Sequence, residues 1–106
     1  MNLYAIRRRS GWADTTELEP AVAKSVKIAV EEMADQLRWI RSYIVNEPDG
    51  RLGTVCIYEA VDPDALLEHA RRVGMPANEV LPVLQTAICR PDPTGTTIQF
   101  SQHHPA

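Results

Sequence analysis

Two runs rich in β-branched and aromatic residues lie near the middle of the chain, at residues 39–45 and 54–59. The polar segment between them holds asparagine, proline, aspartate and glycine, so the pattern predicts a β-hairpin. Because side chains alternate between the faces of a strand, one aliphatic face is predicted to pack under helices: Ile40, Ile44, Val55 and Ile57. The opposite face, with its aromatic bodies and polar tips, is typical of a pocket or a subunit interface and collects Trp39, Arg41, Tyr43, Cys56 and Tyr58.

The segment before the hairpin has apolar residues at helical spacing. Thr16 and Glu19 have the spacing of a capping box, which predicts that a long helix begins there. Ile28 falls on the polar side of this helix, and we interpret it as an isolated exposed residue. The opposite, buried stripe is predicted to contain Leu18, Val22, Val26, Ala29, Val30, Met33 and Leu37.

A second helix is predicted after the hairpin. Asp62 is a typical N-cap, and Pro63 fits the first helical position, where its missing N–H costs nothing. The helix is predicted to end before Gly74, which readily takes the left-handed conformation of a C-cap. His69 falls at the edge of the buried stripe of this helix.

Two further strands complete the pattern, at residues 2–8 and in the apolar run 80–89. The order strand, helix, strand, strand, helix, strand predicts an α+β ferredoxin-like fold, a split βαβ sandwich with both helices on one face of the sheet. The sheet is predicted to be antiparallel with four or five strands, the fifth a short edge strand at 97–100. We assign residues 1–90 to this domain and expect residues 91–106 to form an extended or disordered tail.

Two helices cover only one side of such a sheet, so the other face must meet solvent, a ligand or another subunit. The predicted uncovered face carries Trp39, Tyr43 and Tyr58. Leaving these aromatic side chains in water would cost roughly 1.5–3 kcal/mol each. The sequence therefore predicts a homodimer that stacks sheet on sheet.

Composition and charge exclude several classes of protein. A hydrophobic share of 44% with 24% charged residues is ordinary for a globular chain, and 106 residues make one domain. The formal net charge of -3 argues against nucleic-acid binding, which needs a concentrated basic surface. No apolar run approaches the ~20 residues of a membrane span. We therefore expect no membrane partner and a cytoplasmic protein whose two cysteines are reduced thiols.

One short basic run, Arg7-Arg8-Arg9, closes the first predicted strand. We interpret it as a solvated strand end. A contact with an anion or with a partner is the alternative, and the sequence leaves it open.

Three stretches of the chain resemble a small bacterial family of unknown function that includes a nickel-binding protein. The stretches are RWIRSY at 38–43, CIYEA at 56–60 and EHARRVGMP at 68–76. The resemblance covers about residues 1–89, while the tail from Pro91 and the longer hairpin loop depart from the family pattern. It implies a ferredoxin-like fold, a homodimer, and the binding of nickel or another divalent metal in sequestration or homeostasis.

Nickel and similar divalent ions prefer imidazole, thiolate and carboxylate ligands. With the resemblance, we take His69, Glu68 and Glu59 as the candidate metal ligands. No HxH, HExxH or CxxC spacing is present, so a site would need residues from several elements or from two chains. For His69 the alternative is a hydrogen-bonded histidine at the edge of the core, and we interpret the adjacent His103 and His104 as incidental.

Two other functions stay open on the sequence alone. A cavity on the uncovered sheet face would suit a cofactor-free enzyme or a small-molecule-binding protein, because tyrosine and arginine side chains there can supply acid, base and oxyanion contacts. No triad or carboxylate pair fixes a reaction, so an enzymatic role stays undecided. A purely structural module, whose uncovered face serves only to dimerise, is the third reading.

Overall fold

The structure of the chain is a computed structural model, and it describes residues 1–98. The four strands form one antiparallel sheet in the order β2-β3-β1-β4, and side chains from both helices pack into its core. This arrangement confirms the predicted α+β ferredoxin-like fold. The elements in chain order are β1 (Asn2–Trp12), α1 (Thr15–Glu31), β2 (Leu37–Asn46), β3 (Leu52–Ala60), α2 (Pro63–Val73) and β4 (Glu79–Pro82), followed by a 3-10 turn (Thr94–Thr96).

The start of α1 lies closer to β1 than the capping-box spacing predicted. Asp14 is the N-cap, and its carboxylate accepts hydrogen bonds from the backbone N–H groups of Thr16 and Glu17, at 3.0 and 3.2 Å. Ile28 is buried in the core, so its interpretation as an exposed residue was wrong. The predicted stripe assumed a helix that reaches Leu37, whereas α1 ends at Glu31, and the longer span rotated the apparent apolar face away from Ile28.

Both predicted ends of α2 are confirmed. The carboxylate of Asp62 accepts a hydrogen bond from the backbone N–H of Ala65 at 2.8 Å, and Pro63 occupies the first turn. Gly74 ends the helix with φ of 83°, a left-handed conformation that glycine adopts without a steric penalty, and its N–H donates to the carbonyl of Ala70. These local signals fix how α2 presents His69 to the sheet.

Strand β3 turns toward the helices the set of side chains opposite to the one predicted. Cys56 and Tyr58 of β3 are buried in the core, whereas Ile40 and Ile44 of β2 are exposed. The predicted aliphatic face under the helices was therefore wrong. The prediction treated polar tips as a sign of exposure, but hydroxyl and thiol groups can be buried when hydrogen bonds satisfy them.

An irregularity in β2 adds a second error. Trp39 pairs with Tyr58, whereas Arg41 pairs with Ile57, so one extra residue, Ile40, lies between the two pairs. Such a bulge moves every following residue to the other face relative to simple alternation. Trp39 therefore packs beside the core, while Arg41 turns to the side of the sheet opposite the helices, which we call the open face.

The last strand is shorter than predicted. β4 spans four residues and pairs with β1, whereas the prediction ran through residues 80–89. After one further backbone bond, from Val83 N to Leu3 O at 2.9 Å, the chain runs without regular structure to the 3-10 turn. Asp92 then reaches β2, so this segment passes from one edge of the sheet to the other. The predicted edge strand at 97–100 falls partly outside the described residues.

Candidate functional site

Titratable and hydroxyl side chains lie in the interior between the helices and the sheet. We call five of them, each at most 9% exposed, the interior cluster: Arg8, Ser25, Cys56, Tyr58 and His69. They come from four elements, β1, α1, β3 and α2. Polar groups in such a place cost free energy unless they are hydrogen-bonded, so the partners of each group indicate what the cluster can bind.

The imidazole of His69 is held as a neutral ring. Its Nε2 lies 3.0 Å from the carbonyl oxygen of Ser25, and because a carbonyl only accepts, Nε2 carries the proton. Burial lowers the pKa of His69, and the charges of Arg8 and Arg72 lower it further. The neutral ring keeps a lone pair on Nδ1. That atom is buried and has no hydrogen-bond partner among residues 1–98.

Tyr58 and Cys56 continue the cluster along β3. The Tyr58 hydroxyl lies 3.3 Å from Oγ of Ser25, and burial raises the pKa of Tyr58, which keeps the phenol protonated. The Cys56 thiol accepts a hydrogen bond from Ser42 at 3.1 Å and donates one to Thr54 at 3.3 Å. These bonds satisfy both side chains, which explains why they can be buried.

Arg8 brings a full positive charge into the cluster. Its Nη1 donates to the carbonyl oxygen of Pro76 at 2.6 Å, while Nη2 is buried and has no partner within the described part of the chain. The flanking Arg7 and Arg9 each pair with a glutamate instead. The interpretation of the basic run as a solvated strand end is therefore wrong for Arg8, and the alternative of an anion contact stays in consideration.

Sequence reasoning considered Arg8 only as part of the basic run, and it did not select Ser25. Arg8 has the same strand parity as the buried Tyr4 and Ile6 of β1, so this signal could have identified it. Ser25 had no comparable signal, because its hydroxyl matters only through its position opposite Tyr58 on another element.

The open face carries a separate, exposed polar group. A carboxylate oxygen of Asp92 lies 2.5 Å from Nη1 of Arg41, and the Tyr43 hydroxyl lies 3.0 and 3.2 Å from the two oxygens of the same carboxylate. Exposed ion pairs contribute little to stability. The contact therefore holds the segment after β4 only weakly against the sheet.

The five predicted ligand-binding residues are divided between these two places. Cys56 and Tyr58 lie in the interior, and Trp39 joins them because its indole N–H donates to Ser42 at 2.8 Å. The other two, Arg41 and Tyr43, lie on the open face. A ligand-binding role for any of the five stays a prediction.

The three predicted metal ligands also lie apart. His69 is in the interior, and Glu68 is bound by two arginines of the same helix, Arg71 first, which lower its pKa to about 2. Glu59 lies on the open face with its nearest cation, Arg38, at 3.9 Å. Among residues 1–98, no three His, Cys, Asp or Glu side chains lie close enough to hold a metal ion. The described residues of one chain therefore do not fit a complete metal site, and the roles of these three stay predictions.

A pocket of about 310 Å³ opens where α1 is followed by β2. Val30, Ala34, Leu37 and Trp39 line it, with Arg38 as its charged residue. Its walls are mostly apolar, and Trp39 is the one predicted ligand-binding residue among its lining residues. This pocket offers packing surface and no group that would activate a substrate.

The fold and the interior cluster define a class, a small ferredoxin-like α+β protein with buried polar side chains between helices and sheet. Within that class the chain belongs to the family described as Nickel responsive protein SCO4226-like, whose sequence model matches residues 4–83. This match confirms the resemblance that the three sequence stretches indicated. A search of curated proteins found no match.

The fold is also that of a solved relative. The crystal structure of SCO4226 from Streptomyces coelicolor A3(2) superposes with a TM-score of 0.63 and 16% identity, over 80% of this chain and 99% of that chain. At this identity the likeness shows the fold alone. Neither helix of residues 1–98 has the length and apolar character needed to cross a membrane.

Proposed function

We propose that this protein is a homodimer that binds nickel, or another divalent metal, with ligands contributed by both copies. The observation that carries the proposal is the membership of a family described as nickel-responsive. Carboxylate and imidazole donors suit such ions. In a two-fold symmetric dimer each donor near the axis occurs twice, so a site there needs fewer ligands from each chain.

The open face supports the dimer. Its apolar side chains include Tyr43 and Leu81, both exposed, and the segment after β4 adds Leu84, 99% exposed, and Ile88, 74% exposed. Several large exposed apolar side chains on one face are typical of an interaction site. A second copy that places its own open face against this one would bury both surfaces in a self-complementary contact.

Glu59 is the metal ligand that this arrangement favours among the three candidates. Its side chain lies on the open face, and its partner Arg38 is too distant to hold it tightly. Glu68 would have to leave two arginines before it could bind a metal. For His69, the neighbouring charge of Arg8 opposes a second cation at Nδ1.

The dimer is tested by placing a charge on the open face. We expect Tyr43→Asp to shift the protein toward monomer in sedimentation velocity, because a carboxylate buried between two sheets loses its water. The matched control is Leu67→Asp, since Leu67 is similarly exposed but lies on α2. An unchanged dimer at micromolar concentration in Tyr43→Asp, or an equal shift in the control, would contradict an open-face interface.

The metal role is tested by native mass spectrometry of tag-free protein with and without Ni²⁺. We expect Ni²⁺ to bind the dimer, and Glu59→Gln to weaken binding by roughly tenfold or more, as the loss of a metal-site group does. Glu68→Gln serves as the matched control and should bind as wild type does. No uptake of Ni²⁺ by the wild type would reject the metal role, and equal binding by Glu59→Gln would reject this ligand.

The pH dependence of Ni²⁺ binding separates the ligand types. Imidazole must be neutral to coordinate, so a site that uses histidine should weaken as pH drops through roughly 6.5. Binding that persists below this pH would indicate carboxylate ligands. A second titration with a chain that ends at Arg90 removes His103 and His104 and shows whether either of them contributes.

A further inference from the structure

Arg8 differs from its two neighbours in having no acidic partner in the described part of the chain. Arg7 pairs with Glu47, and Arg9 pairs with Glu79. Arg8 is 1% exposed, its Nη1 donates to the backbone carbonyl of Pro76, and its Nη2 has no partner among residues 1–98. Arginine stays charged in proteins, and a buried charge is costly unless it is paired. The interior therefore holds an uncompensated positive charge and a free N–H donor.

His69 supplies the complementary group. Its Nδ1 is an acceptor, because Nε2 carries the ring proton and donates it to the Ser25 carbonyl. This Nδ1 is also buried without a partner in the described chain. Arg8 is near enough for its charge to act on the imidazole. The interior cluster thus holds one unpartnered donor and one unpartnered acceptor.

The side chains next to His69 in the interior cluster are polar, and their hydroxyl groups can rotate. The Tyr58 ring lies with its centroid 5.6 Å from that of His69, and its hydroxyl is 3.3 Å from Oγ of Ser25. Arg8 also influences Tyr58, since it opposes the rise in the pKa of that phenol that burial causes. Both hydroxyl groups can rotate to donate or to accept. They can therefore complete the hydrogen bonding of a small ligand.

We propose that the interior cluster binds a small monoanionic oxyanion that still carries a proton, of the chemical class of bicarbonate. Its charge would neutralise Arg8, and its oxygens would accept from the planar guanidinium. Its O–H would donate to Nδ1 of His69, which a fully deprotonated anion cannot do. A cation is opposed by Arg8, and the near-complete burial of Arg8 and His69 favours a ligand of a few heavy atoms. This site is independent of the proposed nickel binding.

The loop after α2 is the route by which such a ligand would enter. Pro76 lies in this loop, and its carbonyl holds Arg8. The residues on either side of it, Met75 and Ala77, pack only partly buried against the core. Local opening of a loop costs less than opening of a strand or helix. Release of the Pro76 carbonyl would free both N–H groups of Arg8 for an incoming anion.

The test is binding of ¹³C-labelled bicarbonate to tag-free protein at mildly alkaline pH, followed by NMR of the ligand carbon and of the His69 ring nitrogens. We expect saturable binding with a Kd on the order of 1 mM or tighter, together with a shift of the Nδ1 resonance. Formate has the same charge but no O–H when ionised, so it should bind at least about tenfold more weakly. Equal binding of the two anions would overturn the role of Nδ1.

Two variants locate the site. Arg8→Met removes the charge at similar volume, and such a replacement of a buried ion is often tolerated; it should abolish bicarbonate binding. Arg9→Met, the adjacent exposed arginine, is the matched control and should bind as wild type does. If Arg8→Met fails to fold, His69→Gln is used instead, and its binding of bicarbonate and of formate is compared. We expect this variant to lose the preference for bicarbonate. Binding unaffected by these variants overturns the proposal. An Nδ1 resonance that indicates a hydrogen bond to water and does not shift when bicarbonate is added would also overturn it.

Discussion

The two faces of the sheet carry the same residue types in opposite physical states. On the helix side, Tyr58 is 2% exposed, and Arg8 is buried with no carboxylate partner in the described chain; on the open side, Tyr43 is 43% exposed and Arg41 pairs with Asp92. Water can satisfy an exposed arginine, so its ion pair matters little. A buried arginine depends on whatever lies beside it. Specific chemistry is therefore expected inside the sandwich, and association is expected on the open face.

Truncation of Tyr58 and of Tyr43 should give the largest difference in stability between the two faces of the sheet. We expect Tyr58→Ala to lower the free energy of unfolding by about 3–5 kcal/mol, because it leaves a cavity in the core. Tyr43→Ala should cost less than about 1 kcal/mol in the monomer, since its ring is half in water. Urea unfolding at a concentration where the protein is monomeric measures both.

Equal losses from the two tyrosine variants would contradict the assignment of faces. Small losses from both variants would show that the two tyrosines share the uncovered face, as alternation alone predicted. Tyr58→Phe is a useful control, because it keeps the ring and removes only the hydroxyl that meets Ser25. Its loss should be near 1 kcal/mol.

The pH dependence of stability tests whether His69, on the helix side of the sheet, stays neutral. Arg8, Arg72 and the neutral Tyr58 are the ionisable groups that act on or contact His69, and its pKa is lowered in the folded state. Below roughly 6.5 the unfolded chain binds a proton at this imidazole and the folded chain does not. Stability should therefore fall as pH drops below that value, by at most about 1.4 kcal/mol per pH unit, until the folded pKa is reached.

The measurement is urea unfolding of wild type and His69→Gln between roughly pH 7.5 and 5. Because other groups titrate equally in both proteins, the difference between the two curves isolates His69. We expect the wild type to lose more stability than the variant on acidification. Parallel curves would mean that His69 takes up a proton in the folded state and is not held neutral.

The smallest effect is expected on the open side, from removal of the tail. A chain that ends at Arg90 loses the contact of Asp92 with Arg41 and Tyr43, an exposed contact, and loses Ile98, which is also exposed. We expect the melting temperature of the monomer to change by only a few degrees. A large drop would show that residues beyond 90 pack against the sheet or across a dimer.

Local signals in the sequence predicted the fold well. Asp62 caps the start of α2 with its side chain, and Gly74 ends the helix through its backbone conformation. The order of elements was sufficient to predict the ferredoxin-like topology. These signals act within a few residues. No knowledge of distant contacts was needed to read them.

The candidate site was harder to predict because it depends on contacts between elements. The bulge at Ile40 places the residues after it on the opposite face from the one that alternation from Trp39 predicts, and no sequence pattern signals this bulge. The burial of Tyr58 and Cys56 depends on hydroxyl partners such as Ser25 and Ser42, from α1 and β2. Alternation alone counted polar tips as exposed, so it placed two of the five members of the interior cluster, Cys56 and Tyr58, on the wrong side.

The reactivity of the two thiols tests the assignment of faces most directly. Both cysteines are free, with Cys56 buried and Cys89 exposed. A thiol reagent under native conditions should modify Cys89 at once and Cys56 on the order of 100-fold more slowly, because Cys56 must wait for the core to open. Single Cys56→Ser and Cys89→Ser variants identify each reaction, and the Tyr43→Asp background prevents shielding by an open-face dimer. Comparable rates for the two thiols would place Cys56 on the open face and contradict the interior cluster.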